Sequence, residues 1–142
     1  MRELDDCYSF AKKIQEKHEE IIELKSRTMS PKNQIISDMP RGGNADNAIE
    51  RYLIKIERLK RVKKSYEKKR DMCWLAIQQK LCDCGFNDKE TLTMMYMRFG
   101  CAWSWNKCAK RLNGLYKDSN WNTNKCFRVY RQVLNNLHKK AV

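Results

Sequence analysis

Lys125, Arg128 and Arg131 recur at three-residue spacing through the last part of the chain, followed directly by Gln132. Side chains three and four positions apart share a helix face, so these cations would stand together as donors suited to phosphate oxygens and base edges. The charge around them points the same way. Residues 100–142 hold nine basic side chains and one acid, Asp118; residues 44–99 hold thirteen and eight, and residues 1–43 eight of each. The net charge of +13 is thus a gradient rising toward the C-terminus. A uniformly basic surface serves solubility, whereas a gradient peaking on one segment argues for a polyanion at that end, nucleic acid ahead of a membrane surface or an acidic protein. The plainer alternative is a generically charged surface helix.

Other chemistries find less support. His18 and His138 have no nucleophile or carboxylate at useful spacing, and no glycine-rich loop is followed by Lys-Ser or Lys-Thr, so an enzyme is not expected. Cys82-Asp83-Cys84, with Cys101 and Cys108, invites a zinc reading. Structural zinc usually takes two C-x-x-C-like knuckles, however, and the second pair here is too widely spaced, so neither metal nor cofactor is expected. The charged N-terminus Met1-Arg2-Glu3-Leu4-Asp5-Asp6 lacks an apolar signal core, and no run is long enough to span a bilayer. A cytoplasmic protein without membrane contact is the expectation. Its seven cysteines are then reduced, and Cys7, Cys73, Cys108 and Cys126 serve as small hydrophobes at helical core spacings.

The elements that must position the basic face are all expected to be helices. Only two prolines and five glycines occur in 142 residues, and no strand-like alternation persists over a useful length. Leu4, Cys7, Ala11, Ile14, His18, Ile21 and Leu24 form one seam over Glu3 to about Thr28, and Ser30-Pro31 stops that helix. A loop from Met29 to Asn44 contains Pro40-Arg41-Gly42-Gly43, read either as a connection or as a phosphate contact through Arg41. From Asn44 to about Cys82 a long helix carries Ile49, Tyr52, Ile56, Leu59, Tyr66, Cys73 and Ile77, its seam interrupted by Lys63 and Arg70, with Gly85 as C-cap. So long a helix is expected to pack antiparallel against the first and against a second subunit, giving a homodimer. Its middle, Lys60 to Lys64 and Lys68 to Arg70, is either a solvated face or a phosphate-tracking stripe.

Asp88 or Asn87 then caps a helix running to Phe99 and Gly100. Trp105, Cys108, Ala109 and Leu112 mark a short scaffold helix ending at a break with Gly114. Asn122 or Thr123 caps a last helix from Thr123 to about Lys139, with Phe127 and Tyr130 counted to the core and Trp103, Trp105 and Trp121 most simply packing residues. The fold class expected is all-α: a long antiparallel helical hairpin or coiled coil over residues 1–84, then a trihelical helix-turn-helix domain over residues 85–142.

Pro40-Arg41-Gly42-Gly43, Tyr96-Met97-Arg98-Phe99-Gly100, Trp105-Asn106-Lys107-Cys108-Ala109 and the run from Cys126 to Leu134 together resemble the late-operon transcription regulators of the ArpU/RinA type. These are small regulators of phages and prophages of Gram-positive bacteria, with a C-terminal half similar to region 4 of sigma factors. The resemblance implies a phage-encoded regulator of late genes in a bacterial host cell, associated with the nucleoid, binding double-stranded promoter DNA and recruiting RNA polymerase. Thr123, Asn124, Lys125, Arg128 and Arg131 would then lie on the recognition helix, and Lys107, Lys110 and Arg111 would hold phosphates. The chain departs from the family at Cys108 and Cys126, where Ile or Val is usual. It also carries an inserted stretch, Leu115 to Trp121, which would either displace the recognition helix or add a contact through Lys117 and Trp121. The alternative function is a host-directed interaction protein that binds RNA polymerase or a nucleic-acid-loaded defence nuclease.

Overall fold

A computed structural model describes residues 2–29 and 44–141. The loop with Ser30-Pro31 and Pro40-Arg41-Gly42-Gly43 lies outside the described residues, as do the side chains of Asn44 and Asp46, for which a capping role is expected. The fold is all-helical, with no strand among the described residues. Helix α1 spans Arg2–Met29 and α2 Asn44–Asp83. Helix α3, Lys89–Met95, passes directly into a π-turn, Tyr96–Gly100. Then come α4, Trp105–Leu115, a single 3-10 turn, Lys117–Ser119, and α5, Thr123–Ala141.

Two compact units form: Lys13–Tyr66 is one, and Met1–Lys12 with Glu67–Val142 is the other. In the Lys13–Tyr66 unit Ile14 and Ile21 of the α1 seam and Ile56 of the α2 seam are buried, Leu24, Ile49, Tyr52 and Leu59 are half-buried, and His18 is exposed. Lys63, which interrupts the α2 seam, has its Nζ 3.2 Å from Nδ1 of His18, so the two polar breaks in the facing seams meet each other. Lys13 lies over the Tyr66 ring, 5.3 Å from its centroid.

In the other unit one core joins Leu4 and Cys7 of α1, Ile77 and Leu81 of α2, and Met94, Met95, Met97, Phe99, Cys108, Leu112, Cys126, Val133 and Leu137 from the later elements. Cys73 Sγ donates to the Glu3 carbonyl at 3.2 Å, and Lys80 pairs with the Glu3 carboxylate, which holds that carboxyl below its ordinary value. Arg70, the second break in the α2 seam, donates from Nη1 to the Gly100 carbonyl at 3.4 Å.

The helix ends follow from local chemistry. Gly85 takes φ 91°, and Phe86 N donates to Leu81 O at 2.9 Å, a Schellman-type closure that places the Phe86 ring against the core. Asp88 caps α3 by accepting from Thr91 N at 3.0 Å. Ser104 does the same for α4 from Lys107 N at 3.2 Å. Helix α4 runs through Gly114 to Leu115 rather than breaking there. One or two residues of helix cost little at an exposed glycine when the break is supplied downstream by Asn120, in the left-handed conformation at φ 50°.

Candidate nucleic-acid interface

Helices α3, α4 and α5 pack on one another, and the connection between α4 and α5 sets where α5 begins. Asn113, near the end of α4, donates from Nδ2 to Trp121 O at 2.5 Å and accepts from Trp121 N at 2.6 Å on Oδ1. The Trp121 ring is buried, 5% exposed, and its Nε1 donates to Glu90 of α3 at 3.1 Å. Hydrogen bonds from Ser119 and then Trp121 hold the Glu90 carboxyl below its ordinary value. Asn122 is the cap of α5, its Oδ1 accepting from Lys125 N at 2.8 Å. The Leu115 to Trp121 stretch is thus a packed turn, with Trp121 in the core and Lys117 exposed.

Lys125 belongs to this turn. Its Nζ donates to Ser119 O at 2.5 Å and stands 4.4 Å from the Trp121 ring centroid, leaving the side chain half-buried. Thr123 is also half-buried. Asn124, Arg128 and Arg131 are exposed, at positions i, i+4 and i+7 of α5, so they form one face. Neither arginine makes an ion pair among the described residues. On α4, Lys107, Lys110 and Arg111 are exposed, and the Lys107 Nζ lies 4.2 Å above the Trp103 ring. Of the eight residues named from sequence, six face solvent, and Thr123 and Lys125 are drawn toward the turn.

Beneath the α5 face lies an aromatic cluster. Trp105 packs at 5.5 Å from Phe127, 5.2 Å from Tyr130 and 6.3 Å from Phe99, measured between ring centroids. The Arg98 guanidinium lies 4.9 Å from the Tyr8 ring and 5.0 Å from the Trp105 ring, and donates from Nη1 to Trp103 O at 2.9 Å. Each ring gives a cation–π attraction that strengthens as water is excluded, so Arg98 is a structural cation. Its Nε is buried without a partner among the described residues. Phe127, counted to the core from its spacing, is 39% exposed between Asn124 and Arg131. Phe127 sits at the edge of the stripe that buries Cys126, Val133 and Leu137, where its ring packs against Trp105 on the rim of the core.

Among the described residues no group of three or more His, Cys, Asp or Glu side chains comes together to hold a metal. No helix among the described residues is long and apolar enough to cross a membrane. No protein-family model, curated protein or solved structure matches the chain.

Proposed function

We propose that this protein is a DNA-binding transcription regulator in which α4 and α5 act as a helix-turn-helix and α5 enters the major groove. The single observation that carries the reading is the α5 face itself: Asn124, Arg128 and Arg131 are exposed together, and neither arginine makes an ion pair among the described residues. Arginine and asparagine are the side chains whose paired donors and acceptors match guanine and adenine edges. Lys107, Lys110 and Arg111 on α4 supply phosphate contacts. In this proposal α1 and α2 form a coiled-coil hairpin that dimerises, and exposed Ile22, Leu53 and Ile54 in the Lys13–Tyr66 unit are the apolar material for that contact. The phage late-gene role in a bacterial host, with recruitment of RNA polymerase, rests on the resemblance to ArpU/RinA-type regulators.

A second reading, an interaction protein directed at a host complex, is favoured by Met72 and Leu75 of α2, which are 74% and 64% exposed. Measuring duplex binding against salt separates the two. Replacing Arg128 and Arg131 together by Ala should weaken duplex binding strongly and reduce the slope of log K against log salt by about 1 for each phosphate no longer neutralised. Lys125→Ala should change the slope less than either arginine, because its ammonium is already held by Ser119 and Trp121. Undiminished binding by the double variant would sink the DNA reading in favour of the protein partner.

A further inference from the structure

We infer that Phe127 is a specificity-determining contact for the 5-methyl group of thymine in duplex DNA, an inference that rests on the proposed entry of α5 into the major groove. On a helix surface residue 127 neighbours residues 124 and 131, three and four positions away. Phe127 is therefore an apolar element at the edge of a polar and cationic face, and 39% of it is open to water. Its ring is held rather than free: Trp105 lies 5.5 Å away at 51°, and Trp105 is itself fixed between Tyr130 at 5.2 Å and the Arg98 guanidinium at 5.0 Å. A fixed apolar ring beside Arg131, on the edge of the face that carries Arg128, suits a partner that is negatively charged overall and carries an apolar group at contact depth. Among base edges in the major groove the thymine methyl is that group, and phenylalanine is one of the side chains that pack on it. The cations and the ring then divide the work: charge sets affinity, and the ring distinguishes A·T from the other pairs at one position.

The test selects duplexes from a random pool at physiological salt with the wild-type chain and with Phe127→Ala in parallel. The wild-type motif is expected to contain a thymine position that Phe127→Ala makes degenerate while neighbouring positions keep their preference. Replacing that thymine by deoxyuridine removes the methyl alone. It should weaken wild-type binding about fourfold, the factor for roughly one buried methyl group, and should not weaken Phe127→Ala further. The deoxyuridine arm uses the unaltered protein, so it stands even if the variant misfolds. An identical motif from a folded Phe127→Ala, or equal wild-type affinity for thymine and uracil at every position, overturns the inference while DNA binding stands. Random fragments, or none, retained by the wild-type chain overturn the base-reading proposal itself and this inference with it.

Discussion

Asn113 and Trp121 exchange two hydrogen bonds across the turn between α4 and α5, side-chain amide to backbone amide, at 2.5 and 2.6 Å. One side chain thereby satisfies both polar groups of a residue whose ring is in the core, and fixes the point from which α5 departs. Asn113→Ala removes donor and acceptor together and leaves the part-buried Trp121 backbone unpaired. The expected cost is about 1–3 kcal/mol, read as a lower urea midpoint with an unchanged m-value.

Gly100 and Gly114 should respond oppositely to alanine. A Cβ on Gly100 would fall 2.6 Å from two carbons of the Tyr96 ring, so that ring would have to shift out of its packing with Trp74, 5.1 Å away. Gly100→Ala should destabilise by about 1–3 kcal/mol. Gly114 has open space around its Cβ direction inside α4, so Gly114→Ala should stabilise by about 0.5–1 kcal/mol. Paired thermal melts of the two variants check this.

Glu90 links α3 to the turn, and its linkage has a definite sign. Hydrogen bonds from Ser119 and Trp121 lower its folded pKa below the ordinary 4.5. Its contribution is therefore present above pH 4.5 and disappears as pH falls through the lowered folded value. The stability gap between the wild type and Glu90→Gln should accordingly narrow on acidification, and a carboxyl-carbon NMR titration should place the Glu90 midpoint below 4.5. A gap that stays constant down to pH 3 would contradict the assignment.

The cysteines should label in two classes. Burial, with the neighbouring Cys73 second, pushes the Cys7 thiol up to about 12, and burial pushes Cys108 up to about 11. Thiolate is the reactive form, so both should resist iodoacetamide at pH 8 until the chain unfolds. Cys82 and Cys84 are partly exposed and should be modified first. Mass spectrometry of native against urea-treated protein reads the difference residue by residue.

Much of the helical framework was legible because it depends on near neighbours. Leu4, Cys7, Ala11 and Ile14 keep a three-four spacing, and Gly85 and Asp88 end and start helices with groups a few residues away. What escaped spacing depends on distant partners. The Tyr96–Gly100 π-turn rests on a ring lying over a glycine. Trp121 is pinned by Glu90 and Asn113, and Lys125 turns inward because Ser119 and Trp121 are there to receive it. Phe127 lies about 100° round the helix from Cys126, at the edge of the stripe that buries Cys126, Val133 and Leu137, and packs there against Trp105.

The unit that holds the α5 face is discontinuous in sequence: it takes Met1–Lys12, omits Lys13–Tyr66 and resumes at Glu67. Synthesis runs from the N-terminus, so Leu4 and Cys7 leave the ribosome long before Ile77, Met94 or Val133 exists to cover them. The first turns of α1 must wait, apolar side outward, until α5 is made. Folding of this unit thus waits for α5, and ribosome-bound chains halted before α5 should remain open to protease in the first turns of α1.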